Sequence, residues 1–94
     1  MYVNRRAYKI LPKNYDKVKK LLLAERERVG GTFKICTSSF GPYDTILVDI
    51  EFESYEAYQK FSSSYPATPE SVQFVEKMNP LIETGGTNEF WHVW

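Results

Sequence analysis

The chain has one cysteine, one histidine and no net charge across 94 residues. A lone Cys36 has no partner for an intramolecular disulfide, which excludes a disulfide-stapled scaffold. One His, one Cys and scattered acids give no metal-ligand spacing, so neither a metal nor a cofactor is expected. No segment approaches the ~20 consecutive apolar residues that span a bilayer. Residues 1–6, which include Arg5 and Arg6, lack the apolar stretch of a signal peptide. These absences point to a reducing, cytoplasmic setting without a membrane partner. There is no internal repeat. Gly30-Gly31 and Gly85-Gly86 stand without the motif of a phosphate-cradling loop.

What is present suits a folded domain. The sequence is 43% hydrophobic and 16% aromatic, whereas chains that stay disordered are poor in aromatics. The length fits one domain spanning residues 1–94, with a thin core. Charge is unevenly spread. Residues 1–43 carry ten Lys or Arg against three acids, and residues 44–94 carry nine acids against Lys60 and Lys77. A nucleic-acid binder more often has a net basic domain. The simpler reading is that the two halves interleave and neutralise each other.

Residues 2–10 read as a strand ahead of Pro12. Pro12 or Asn14 opens a helix to about Val29, with Tyr15, Val18, Leu22 and Val29 at helical spacing and Gly30-Gly31 as its stop. Residues 32–40 and 44–53 form a hairpin around Gly41-Pro42-Tyr43. In its second strand Ile46, Val48, Ile50 and Phe52 alternate with Thr45, Asp49, Glu51 and Glu53, a period of two with one face buried. Ser54 caps a helix to about Phe61, and residues 62–67 interrupt it. Thr68-Pro69-Glu70 opens a further helix through an N-cap, a proline at the first position and an acid in the first turn. Val72, Val75 and Met78 form its stripe and Pro80 its end. Residues 88–94 make a last strand. The order β-α-β-β-α-α-β with right-handed crossovers predicts an α+β, ferredoxin-like split β-α-β fold. Its four-stranded antiparallel sheet has the order 4-1-3-2, with helices on one face.

Helices can cover only one side of such a sheet. The last strand carries Phe90 and Trp94 on one face and Trp91 and Val93 on the other. Leu47, Val3 and Ala7 add to the face away from the helices. A contiguous apolar patch of this kind usually marks an interface, so a homodimer through that face is expected. The competing reading is that Trp91 folds over an edge.

The sequence resembles the dimeric α+β barrel superfamily, which includes antibiotic-biosynthesis-type monooxygenases and NIPSNAP-like proteins. The likeness rests on Tyr8-Lys9-Ile10-Leu11-Pro12-Lys13 leading into the first helix, on residues 46–58 running from strand into helix, and on Glu89-Phe90-Trp91 in the last strand. It implies a dimeric α+β barrel, with a ligand often held between sheet and helices. Aligned on Tyr8 and Ile10, the helix-facing side of the first strand is Asn4, Arg6, Tyr8 and Ile10. On the last strand it is Phe90, His92 and Trp94.

Polar Asn4, Arg6 and His92 among aromatics would make a pocket with a few convergent polar groups. Arg6, a permanent cation with rigid donors, is the candidate holder of an anionic or enolic oxygen. His92 is the candidate proton carrier. Asn4, Tyr8, Tyr58, Phe74 and Trp94 are the expected binding residues, and residues 62–67 the expected lid. The plain alternatives are that Arg6 runs out to solvent and that His92 is an ordinary strand residue. Arg5 with Asp49 and Glu51 reads as a structural charge cluster on the opposite face rather than as an acid–base pair. Cys36 and His92 sit on opposite sheet edges, about 14 Å apart, too far for a thiol–imidazole pair. Cys36 is expected to be a small buried filler. The superfamily's heme-degrading members place an Asn on the first strand and a His on a helix. Asn4 resembles the first in kind but is two residues off that alignment, and no helical His exists, so heme is not expected. RNA binding would need aromatics where Asp49 and Glu51 stand. Two main readings remain, ahead of a purely structural role: a cofactor-independent monooxygenase-like or isomerase-like enzyme acting on a small hydrophobic or aromatic molecule, and a non-catalytic dimeric module that binds a ligand or a protein.

Overall fold

A computed structural model describes residues 1–31 and 33–94. The elements run β1 (Tyr2–Lys9), α1 (Tyr15–Val29), β2 (Lys34–Thr37), β3 (Thr45–Phe52), α2 (Tyr55–Ser64), α3 (Pro69–Met78), a short 3₁₀ turn (Asn79–Leu81) and β4 (Thr87–His92). The sheet is antiparallel in the order β2-β3-β1-β4, the expected 4-1-3-2 arrangement.

Register sets the faces. Tyr2, Asn4, Arg6 and Tyr8 of β1 pair with Phe52, Ile50, Val48 and Ile46 of β3. Residues paired across antiparallel strands share a face, so this set lies on the helix side with Ile46 and Val48 buried. Asn88, Phe90 and His92 pair with Arg6, Asn4 and Tyr2 and join the same face. The core is Ile10, Val18, Leu22, Ile46, Val48 and Met78. β1 is extended beyond Lys9 by a bridge from Ile10 to Ile82.

Helix ends follow local chemistry. The Ser54 hydroxyl accepts from the Ala57 amide at 3.1 Å, and the Thr68 hydroxyl accepts from the Ser71 amide at 3.2 Å. Each satisfies an otherwise free first-turn donor. Gly30 stops α1 at φ 60°, a left-handed conformation that costs glycine little.

Several boundaries differ from expectation. β2 is four residues, not residues 32–40, because residues 38–44 form a wide turn; position 32 lies outside the described residues. α2 continues through Ser64, since the Ser62, Ser63 and Ser64 hydroxyls donate back to carbonyls of Gln59, Lys60 and Phe61 within the helix. The break between helices is therefore residues 65–68. On α3 the buried stripe is Ser71 and Met78 with Phe74 and Val75 beside them, while Val72 is exposed. Cys36 is exposed rather than a buried filler, because β2 is an edge strand and the residue is on its far face opposite Leu47.

On the far face Arg5 donates from Nε and Nη2 to both carboxylate oxygens of Asp49 at 2.9 and 2.8 Å, and Lys34 reaches Glu51 at 3.4 Å. The Arg5 hydrogen bond and charge hold the Asp49 carboxyl below its ordinary value despite burial. This is the structural charge cluster expected from the strand pattern.

Candidate functional site

A cavity of about 700 Å³ lies between the helix-side face of the sheet and the helices. Strand positions Arg6, Tyr8, Val48 and Ile50 form its floor. Leu22, Glu25 and Arg28 of α1 form one wall, and Ser71, Phe74 and Val75 of α3 another. Phe61 at the end of α2 and Tyr65 and Ala67 in the connector complete it. The lining is mainly apolar with a few polar groups, the usual constitution of a small-molecule site.

The polar wall is a closed network. Arg28 donates from Nε and Nη2 to the two oxygens of Glu25 at 2.8 and 2.9 Å, and from Nη2 to Ser71 Oγ at 2.7 Å. Ser71 Oγ donates to Glu25 Oε2 at 3.1 Å, and the Tyr65 hydroxyl does so at 3.2 Å. Burial alone would raise the Glu25 carboxyl pKa. The hydrogen bonds from Arg28, Ser71 and Tyr65 together outweigh it and hold Glu25 below the ordinary carboxylate range. Burial, then the neighbouring Glu25 charge, pushes the Tyr65 hydroxyl up to about 12. At neutral pH the carboxylate is thus ionised and the phenol protonated.

The expected site residues separate into two groups. Arg6, Tyr8 and Phe74 line the cavity together. Asn4, His92, Tyr58 and Trp94 do not. Asn4 is wholly buried on the same strand face, two residues from Arg6 but outside the cavity lining; its Nδ2 donates to Asn88 Oδ1 and to the Glu89 carbonyl at 2.9 Å, and its Oδ1 accepts from Arg6 Nε at 3.2 Å. Tyr58 belongs to an aromatic cluster beneath α2, with ring centroids 4.5 Å from Phe90 and 5.6 Å from Phe52. His92 is on the helix-side face but at the far end of β1, stacked on Tyr2 at 4.6 Å. Trp94 lies past the end of β4, 101% exposed, against His92 at 4.3 Å. The expected helix-side face holds for Asn4 and His92. Strand parity could not tell that rings under α2 close off the His92 end of β1 from the cavity.

The overall arrangement matches known structures along nearly the whole chain. An uncharacterised NIPSNAP domain protein from Burkholderia xenovorans superposes with a TM-score of 0.84 at 15% identity, covering 100% of this chain and 95% of that one. A NIPSNAP family protein of unknown function from Agrobacterium tumefaciens gives 0.80 at 21% identity, with 97% and 86% covered. An antibiotic biosynthesis monooxygenase gives 0.74 at 16% identity, with 100% and 99% covered. The chain has the NIPSNAP and antibiotic-biosynthesis-monooxygenase fold. At these identities the likeness is one of fold. Neither a protein-family model nor a curated relative matches the sequence.

Within this NIPSNAP-like fold, the residues that sequence reasoning missed are Glu25, Arg28, Tyr65 and Ser71. A signal for Glu25 was available. The α1 stripe Tyr15, Val18, Leu22 continues at helical spacing to position 25, so a carboxylate there faces the core and needs a partner. Arg28, three residues on, is within reach along the helix. Tyr65 and Ser71 carried no such signal, because they reach Glu25 only after the chain has crossed the sheet.

Proposed function

We propose that this domain binds a small, largely apolar molecule in the cavity between the sheet and helices α1 and α3. The observation that carries this reading is the cavity itself: about 700 Å³, apolar for most of its lining, with Arg6, Tyr8 and the Glu25 network as its polar groups. Cavities of roughly 300–1,000 Å³ with this lining are the common form of small-ligand sites.

Monooxygenase-like or isomerase-like chemistry on the bound molecule has weaker support. It would draw on the likeness to an antibiotic biosynthesis monooxygenase. It also needs a group able to move a proton near neutral pH. His92 sits outside the cavity. Glu25 is held ionised and Tyr65 held protonated. Binding is therefore the better-supported role.

The proposal includes a homodimer through the sheet face away from the helices. Trp91 is 55% exposed there and Val93 is exposed beside it, with Val3, Ala7 and Leu47 half-buried. A second sheet would cover this patch and shield the edge strands.

The binding test is a thermal-shift and NMR screen of the full chain against small apolar and aromatic compounds. Hits should perturb amides around Phe74 and Val48, and Val75→Trp, which fills the space, should abolish them while leaving the fold intact. Hits that survive Val75→Trp would overturn the cavity as the site. For the dimer, sedimentation at micromolar concentration should give about twice the 11.0 kDa chain mass, and Leu47→Asp should halve it. A lone chain in the wild type would end that part of the proposal.

A further inference from the structure

Three charged side chains line the cavity: Arg6, Glu25 and Arg28. Two of them cancel, because Arg28 grips both oxygens of Glu25. Arg6 is left over. It makes no ion pair among the described residues, and its one hydrogen bond there sends Nε to Asn4 Oδ1.

Asn4 is not free to turn. Its Nδ2 is held by Asn88 and by the Glu89 carbonyl of β4, which leaves Oδ1 towards Arg6. Asn4 is thus a positioning residue that tethers one edge of the guanidinium. The Nη groups at the other edge have no protein acceptor among the described residues. Yet no buried side-chain nitrogen or oxygen there lacks a partner, so those Nη groups open onto accessible space, and Arg6 lines the cavity. Tyr8, about 7 Å along the same strand face, lines the same cavity.

A fixed cation with spare donors in an apolar cavity selects for a negative charge. Charge-assisted hydrogen bonds are about twice as strong as neutral ones. The net lining charge is that of Arg6 alone, so one negative charge is matched, a second is left unpaired, and a cation is repelled. The volume corresponds to about twenty water-sized units, far more than a small inorganic anion fills.

Resting on the ligand site proposed above, we infer that the ligand is a monoanionic amphiphile: an apolar ring or chain bearing one carboxylate or enolate, held by Arg6 with Tyr8 donating beside it. The apolar body lies against Leu22, Val48, Ile50, Phe61, Phe74 and Val75.

The test titrates the full chain by NMR with two matched pairs, 2-naphthoate against methyl 2-naphthoate and dodecanoate against methyl dodecanoate. The wild type should bind each acid roughly tenfold or more tightly than its ester, as expected for hydrogen bonds to a charged group. Arg6→Met should bring the acid down to the level of the ester and leave the ester unchanged. Arg6→Lys, which keeps the charge but loses the fork, should retain part of the preference. It also stands in should Arg6→Met fail to fold. Equal binding of acid and ester by the wild type, or an undiminished preference in both Arg6 variants, would overturn the anion assignment while the cavity remained a ligand site. If neither member of either pair perturbs the cavity-lining amides at millimolar concentration, the anion assignment and the ligand-site reading fall together.

Discussion

The Tyr65 hydroxyl donates to Glu25 Oε2 at 3.2 Å across 40 positions of sequence, tying the connector after α2 to the middle of α1. The same carboxylate oxygen takes Ser71 of α3, and Arg28 of α1 holds both oxygens. Glu25 is therefore an acceptor on which three segments of the cavity wall converge.

Removing that acceptor strands its donors. A buried donor left without a partner costs about 1–3 kcal/mol. Glu25→Ala should lower stability by about 2–4 kcal/mol once the lost charge pairing with Arg28 is added, and Tyr65→Phe by about 1 kcal/mol. Urea denaturation with an unchanged m-value checks both. A Glu25→Ala midpoint equal to that of the wild type would show that the network carries no stability.

The network also fixes a pH response. Glu25 and Asp49 both have folded-state pKa values below their ordinary 4.5 and 3.8. A depressed carboxyl contributes stability that is present above its unfolded value and is lost as pH falls through the folded one. The thermal midpoint should thus hold down to about pH 5 and fall below about pH 4. In Glu25→Gln with Asp49→Asn the fall should be shallower, from a lower plateau. Tyr65 acts at the other end. Its folded value is raised from 10.0 to about 12, so its contribution is present below pH 10 and is lost as pH rises through the folded value. Tyr65→Phe should remove that alkaline loss.

Gly86 tests the entry into β4. A Cβ there would run into the Ala7 carbonyl oxygen, a backbone atom that cannot swing aside. Gly86→Ala should destabilise by more than about 1 kcal/mol and shift amides along the β1–β4 ladder. At Gly30, with φ +60° and open space around it, alanine should cost about 1 kcal/mol from backbone strain alone and leave the sheet amides in place.

The two faces of β3 should respond differently. Ile46 is wholly buried under the helices, so Ile46→Ala should cost about 2–5 kcal/mol at any protein concentration. Leu47 faces the other way and is half-buried. Leu47→Ala should instead show a loss that grows as the protein is diluted, if a second copy covers that face. Thermal midpoints measured across a hundredfold concentration range separate the two.

Local pattern carried much of this architecture. The period-two run in β3, the Gly30 stop, the Ser54 and Thr68 caps and the β-α-β-β-α-α-β order are short-range features, set by neighbours within a few residues, and they were legible. So was the face of β1 that carries Arg6 and Tyr8, but alternation only put those two residues together, and the family resemblance through Tyr8 and Ile10 was needed to turn that face towards the helices. Strand ends were less legible. The lengths of β2 and β4 depend on where a partner strand stops, and Ser62–Ser64 hydroxyls could either break a helix or bond back into it.

The contents of the cavity were decided by tertiary contacts. Amino-acid order placed Arg6 and His92 on one sheet face, but which helix covers each end of β1 separates them, leaving Arg6 in the cavity and His92 among stacked rings. Glu25, Tyr65 and Ser71 meet because the chain returns over the sheet twice, bringing together groups up to 46 positions apart. Periodicity reports which way a side chain points relative to its own element. What it meets there depends on packing between elements, and in this protein that packing assembles the polar wall.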